Sequence, residues 1–401
     1  MRGPEHLFDP SCQVSGGVGQ ITASWDIDRD GTPESEEIDP PPLALQPAEY
    51  NPVVRFADQV GQVLTVELPR IVKVGEPRHP DWKYGVMAHI DMIHAHYENA
   101  SETERAVQMI ADAGIEAVRV DFAWSIIEAS GDNRYNWSDY DRIVRLVRSH
   151  GLELLPIIDF SPQWASSNRS DSRYWEFPPS DPQDYADTGG AIASRYRDDV
   201  TIWQIWQEPN LDRYFRGADP HRYTQLLQDA YISLKYADPS AIVVMGPLPR
   251  KDGDPTKYYV PGLTFLEGVY ASGGKDHFDA VSVDTYNHPV YEGIGALVSE
   301  LAALRNVMVA HSDSNLELWV TENGWPSHYD VSEQAQAQWL TDSYNAMLGL
   351  DYIGPILWYN FRDKGTDPSE WEHNTGLIRR DWTPKPAYYA LRDFISQHPA
   401  Q

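Results

Sequence analysis

From Tyr84 to the C-terminus the chain repeats one pattern eight times: a short apolar run, then a stretch that is polar or of helical periodicity. The runs are YGVMAH, AVRVDF, LELLPIIDF, TIWQIW, AIVVMG, AVSVDTY, LELWVT and GPILWYNF. Alternation of this kind is the mark of βα units. Between the runs lie readable helices. Ser101 with Glu104 forms a capping box opening SETERAVQMIADAG, which Gly114 closes. Ser138 and Asp139 open DYDRIVRLVRSHG, closed by Gly151. HRYTQLLQDAYISLKYA, GIGALVSELAALRNVMVA, SEQAQAQWLTDSYNAML and PAYYALRDFISQ read as further helices. Eight strand–helix units in series fit a closed barrel better than an open doubly wound sheet. No Gly-rich nucleotide fingerprint follows the first run, which also disfavours the open sheet. The expected fold class is therefore α/β: a (β/α)8 TIM barrel over residues 81–401.

Such a barrel typically needs roughly 250 residues, so most of the 401 are accounted for. Residues 1–80 differ from the rest. They are rich in Pro, Gly and Asp, include the breaker Pro40 to Pro42, and hold one extended segment, Val63 to Val74. A small, irregular or β-containing N-terminal region is expected there.

The formal net charge of −28 comes from 60 Asp and Glu against 32 Lys and Arg. Such a surface repels phosphate backbones and anionic lipid, so neither nucleic acid nor a membrane is expected as the main partner. No run of about 18 apolar residues is seen, so no membrane insertion is expected. The single Cys12 cannot form an internal disulfide and leaves the redox compartment open. MRGPEHLFDPSCQ has no apolar core of a signal peptide. The expectation is a mature secreted form whose leader was removed, with a cytoplasmic location as the alternative. The 14 Trp and 23 Tyr could stack on sugar faces or fill a core.

Active sites of these barrels stand at the C-terminal ends of the strands. After the fourth run comes Gln207-Glu208-Pro209-Asn210, and the seventh leads into Thr321-Glu322-Asn323-Gly324-Trp325. Either glutamate alone reads as a solvated loop charge. Two of them on opposite sides of one barrel mouth suit glycosidic cleavage. That reaction needs one carboxylic acid to protonate the departing oxygen and one carboxylate to attack the anomeric carbon. Retention of configuration requires the pair to be about 5–5.5 Å apart.

At these residues the chain resembles the clan-A retaining glycoside hydrolases, and within them the family-39 group of β-xylosidase and α-L-iduronidase relatives. The resemblance runs from about Tyr84 to the C-terminus. It is carried by WQIWQEPN (Trp203 to Asn210), WVTENGW (Trp319 to Trp325), RVDFAWSIIE (Arg119 to Glu128), LWYNFRDKG (Leu357 to Gly365) and the tail NTGLIRRDWTPKPAYYAL (Asn374 to Leu391). It implies Glu208 as acid/base and Glu322 as nucleophile, acting without a catalytic cofactor on a β-linked glycoside or polysaccharide. Arg119 resembles the clan arginine that hydrogen-bonds the nucleophile, and Tyr286 the tyrosine that orients it. Trp358 would be the sugar platform. His89, Trp124, Asp159, Trp164, His288 and Trp325 stand at other strand ends as candidate cleft residues. For each of these, packing or a loop role is the competing reading.

One position departs from the family pattern. The clan usually has Asn before the acid/base glutamate, where it hydrogen-bonds the sugar 2-hydroxyl; this chain has Gln207. The longer amide puts glycone identity in question and leaves the acid in place. The two glutamates are expected to differ in pKa, with Arg119 holding Glu322 ionised and Glu322 raising Glu208.

A second motif lies in the N-terminal region. Asp26, Asp28, Asp30, the backbone of Thr32 and Glu37 match the spacing of a twelve-residue calcium loop, with Gly31 at its turn. Pro33 and the later prolines rule against flanking helices, so a solitary structural calcium loop is expected, a solvated acidic turn being the alternative. Two rival functions are compatible with these features: a non-catalytic carbohydrate-binding barrel, and a calcium-dependent interaction module.

Overall fold

The computed structural model describes residues 16–41, 43, 48–68, 71–73, 79–91, 96–249, 259–328 and 330–400. The chain divides into two compact units, Met1–Glu76 with Leu234–Ala241, and Pro77–Ser233 with Ile242–Gln401. Cys12 lies outside the described residues.

In the first unit, β1 (Thr22–Asp26) pairs antiparallel with β3 (Val53–Ala57), which pairs with β4 (Val63–Glu67). β2 (Ala48–Tyr50) and β5 (Ile71–Lys73) form a separate antiparallel pair. The extended segment from Val63 thus supplies two strands. Ala23, Trp25, Ile27, Val54 and Phe56 form the buried core, with Leu43, Tyr50, Val66 and Leu68 packed against it. Alternate residues of β1 and β3 point inward, as a sheet with one covered face requires.

The second unit is a closed parallel barrel. Its strands are β6 (Tyr84–Met87), β7 (Ala117–Ala123), β8 (Glu153–Asp159), β9 (Ile202–Ile205), β10 (Ile242–Met245), β11 (Ala280–Thr285), β12 (Glu317–Asn323) and β13 (Ile353–Tyr359). They pair in sequence order, and β13 closes on β6 through Ile356 and Tyr84. All eight coincide with the apolar runs of the sequence. Both faces of each strand are covered, which is why the runs are continuous and not alternating. Trp82, Ala117, Leu155, Ile202, Ile242, Val244, Ala280, Trp319 and Leu357 form one cluster of its core.

The helices are α1 (Ala100–Asp112), the one-turn α2 (Trp124–Ile127), α3 (Ser138–Ser149), α4 (Pro182–Tyr196), α5 (Pro220–Ala237), α6 (Gly262–Ala271), α7 (Gly293–Ala310), α8 (Glu333–Leu348) and α9 (Pro386–Gln397). Helices α2, α4 and α6 were not read from the sequence, and two of the others depart from its reading. The cap of α1 is Asn99, whose Oδ1 accepts from the Glu102 amide at 3.1 Å, so Ser101 falls inside the helix. Asn99 is as good a cap as serine and stands earlier in the chain. The second departure is α7. Its 18 residues have a mean hydropathy of 1.4 and are long and apolar enough to cross a membrane, contrary to the expectation from sequence. Glu300 and Arg305 interrupt its apolar pattern, and Leu297, Leu301, Leu304 and Met308 are buried.

Candidate active site

Glu208 lies three residues beyond the end of β9, and its backbone is in the left-handed region at φ 36°. Trp206 before it has φ 67°, and His89 and Phe160, past β6 and β8, have φ 45° and 60°. Non-glycine residues held this way cost stability, and they gather where side chains must be aimed. Glu208 is 2% exposed, and its Oε2 accepts from Nη2 of Arg213 at 3.0 Å.

Glu322 is placed by an irregularity. The pairing of β11 with β12 runs Val283 to Val320 and then Asp284 to Glu322, so Thr321 is the extra residue of a bulge. Bulges re-aim a side chain, and this one sets Glu322 level with Asp284. Thr321 then turns its hydroxyl onto Oδ1 of Asp284 at 2.7 Å.

Three donor side chains converge on Glu322. Arg119, 0% exposed within β7, donates from Nη1 to Oε1 of Glu322 at 2.5 Å. Its Nε donates to Oε1 of Gln204 at 3.0 Å, and its Nη2 to Oε1 of Gln207 at 2.6 Å. The Tyr286 hydroxyl donates to Oε2 of Glu322. Nε2 of Gln207 lies 3.3 Å from Oε1 of Glu322 and 3.4 Å from Oδ2 of Asp284. The extra methylene of Gln207 therefore carries its amide onto the nucleophile candidate and the arginine.

Burial is the largest influence on Glu322 and raises its pKa above the ordinary glutamate value; Arg119 and the Tyr286 hydroxyl pull it down, and Glu208 pushes it up. The net direction differs from the expectation for an arginine-held carboxylate, because desolvation outweighs the ion pair. Asp284 is raised well above the usual range by burial and by Glu322. Tyr286 is likewise raised well above its ordinary value, first by burial and then by Glu322.

The remaining candidates fall in several settings. His89 is buried, with Nε2 3.3 Å from the Tyr359 hydroxyl. Trp124 is buried and donates to Oε2 of Glu128 at 2.6 Å; half-buried Trp164 donates to the Glu128 carbonyl at 2.8 Å. Trp358 is buried, with its indole N–H directed to the Thr375 carbonyl at 3.3 Å. His288 and Trp325 are half-buried and meet edge to face at 4.7 Å. Asp159 is buried at the end of β8. Asp284, Arg213, Gln204, Asp121 and Tyr359 join the site without having been read from the sequence. Asp284 and Asp121 could have been sought as charged residues inside apolar runs.

In the N-terminal unit, Asp26, Asp28 and Glu34 bring carboxylate oxygens within 4.8 Å of one another. Asp26 accepts from the Gly31 amide, Asp28 from Asp30 and Asp30 from Thr32, the turn that the loop spacing calls for. Glu37 is outside that group, and its carbonyl accepts from the Trp25 indole at 2.7 Å. The acid that groups with Asp26 and Asp28 is Glu34, which the sequence reading passed over, and not Glu37.

A closed (β/α)8 barrel with a glutamate at the end of the fourth strand and another in the seventh defines the class, and comparison with known proteins agrees with it. The model of glycosyl hydrolase family 14 matches residues 85–203. A β-amylase of Triticum aestivum is 31% identical over 64 residues, 16% of this chain and 13% of that protein. A β-xylosidase of Geobacillus stearothermophilus is 28% identical over 300 residues, 67% of this chain and 58% of that protein. The matches thus span less than two thirds of either relative's length. Among solved structures, a family 39 glycoside hydrolase from Bacteroides cellulosilyticus superimposes with a TM-score of 0.61 at 21% identity, covering 98% of this chain and 80% of that one. The chain shares the barrel fold of the family 39 glycoside hydrolases.

Proposed function

We propose that the protein is a retaining glycoside hydrolase that cleaves a β-linked glycoside or polysaccharide by double displacement. The observation that carries this reading is Glu322, held at both oxygens by Arg119 and Tyr286 and close enough to Glu208 to feel its charge. A carboxylate so fixed has one orientation in which to attack. In the first step Oε of Glu322 forms a bond to the anomeric carbon while the glycosidic bond breaks, and Glu208 gives its proton to the departing oxygen. In the second step Glu208 takes a proton from water, whose oxygen attacks the anomeric carbon and releases Glu322. These steps use no cofactor. The β-linkage rests on the resemblance to family 39, and the acidic surface suits a neutral sugar better than nucleic acid or an anionic membrane. Structural calcium is proposed for the Asp26 to Glu34 loop, whose hard oxygen donors suit it.

Hydrolysis of a panel of nitrophenyl glycosides tests the reading. Activity should appear on at least one β-glycoside and be lost in both Glu208→Ala and Glu322→Ala. Azide should restore turnover to Glu322→Ala with product of inverted configuration, which assigns the nucleophile. Turnover that survives either substitution would sink the assignment.

A further inference from the structure

The barrel mouth holds a second group of ionisable side chains that the hydrolytic steps leave unused. His89 follows β6, with Asp91 two residues later; Asp121 lies within β7, and Asp159 ends β8. Ligand atoms of His89, Asp91 and Asp121 lie within 4.8 Å of one another, and all three side chains are buried. Nδ1 of His89 is 3.8 Å from Oδ2 of Asp121. Asp159 is 0% exposed, and neither of its carboxylate oxygens meets a hydrogen-bond donor. The carboxylates it faces are Asp121 and Asp91.

We propose that His89, Asp91, Asp121 and Asp159 bind one divalent cation of the Mn2+ or Zn2+ kind. Donor type is the first argument. One imidazole with several carboxylates suits these ions, whereas Ca2+ and Mg2+ favour oxygen alone. Spacing is the second. Ligands at about 2.0–2.2 Å from a metal are separated by about 3–4.4 Å, so the atoms of His89, Asp91 and Asp121 need only a slight closing. The Tyr359 hydroxyl beside Nε2 orients the His89 ring with Nδ1 toward Asp121, the outer contact that a metal-binding imidazole usually has.

Charge is the third argument. Buried Asp159 has neither oxygen on a donor, and Arg119, the cation that acts on it, already serves Glu322, Gln204 and Gln207. A bound cation would tie together the C-terminal ends of β6, β7 and β8, while the proton transfers stay with Glu208.

Mn2+ itself is the probe. The full-length protein, stripped with chelator and desalted, is titrated with Mn2+ and followed by electron paramagnetic resonance. One equivalent with a nitrogen coupling from imidazole is expected. Asp121→Asn and Asp159→Asn should each weaken it by at least about tenfold, and His89→Gln should remove the coupling. Asp28→Ala should leave that equivalent unchanged, which separates it from the all-oxygen N-terminal loop. Circular dichroism establishes that each variant is folded, and the wild-type titration stands without them. Failure of the wild type to hold Mn2+ at about 1 mM would overturn the proposal, as would bound Mn2+ without nitrogen coupling, or unchanged affinity in both Asp variants. The measurement reads metal and not turnover, so its outcome is separate from that of the hydrolase reading.

Discussion

Arg119 donates through Nη1 to Oε1 of Glu322 at 2.5 Å, and both side chains are buried. Burial raises the pKa of Glu322, and Arg119 is the largest influence opposing it. Arg119→Met removes that opposition, so the Glu322 pKa should rise by about 1–3 units. Attack requires the ionised form. The acid limb of the kcat/KM profile, which reports the free enzyme, should therefore move to higher pH by the same amount. An unmoved limb in a folded variant would show that Glu322 does not set it.

Tyr286 supplies the donor to the other oxygen of Glu322. Tyr286→Phe keeps the ring, which lies edge-on to Tyr359 and Trp371 at 5.9 and 5.1 Å. A hydrogen bond to a charged group contributes about 1.5–3 kcal/mol, so kcat/KM should fall by about ten- to a hundredfold. The melting temperature should change little. A large loss of stability with unchanged turnover would instead make Tyr286 a packing residue.

The barrel was legible in the sequence because strands covered on both faces become unbroken apolar runs, and each of the eight was found within a residue or two. Glu208 and Glu322 were legible as acids where such runs end, Arg119 and Tyr286 only through the resemblance to the clan, and the fold brings Arg119 and Tyr286 onto Glu322. Asp284 was not, since a charged residue inside a run has no periodicity of its own, and its pairing with Glu322 depends on the bulge at Thr321. Helix α4 was missed for a related reason. Its Gly189-Gly190 pair reads as a breaker, yet a Cβ on Gly190 would come within 2.4 Å of the Ser233 hydroxyl. The glycine is there for close approach, which only three dimensions reveal.

Gln207 accepts from Nη2 of Arg119 at 2.6 Å while its amide nitrogen faces Glu322 and Asp284. Gln207→Asn restores the residue usual in the clan but shortens the reach by one methylene. A buried guanidinium N–H left without its acceptor costs about 1–3 kcal/mol. Stability by urea unfolding should drop by that amount, with a fall in kcat/KM. A variant as stable as the parent and more active would show that Gln207 serves the sugar and not Arg119.

Lys385 and Asp363 form a buried ion pair, with Nζ 2.8 Å from Oδ1. Lys385 also donates to Ser327 Oγ at 3.1 Å and the Asn374 carbonyl at 3.0 Å, and Asp363 accepts the Gly376 amide at 2.8 Å. Burial nonetheless raises the Asp363 pKa to about 6, with Lys385 pulling against it, and lowers that of Lys385. For Asp363 the sign is opposite to that of an exposed salt bridge. Its folded pKa lies above the unfolded one, so the folded state binds the proton more tightly. The stability this gives is complete below about pH 4 and is lost as pH rises through about 6. Asp363→Asn should flatten that part of the unfolding free energy against pH, relative to the parent. Lys385→Met leaves the carboxylate buried without its cation, which should cost about 3–5 kcal/mol near neutral pH and less in acid, where Asp363 is protonated. If the loss were the same at both pH values, the pair would be held by packing and not by charge.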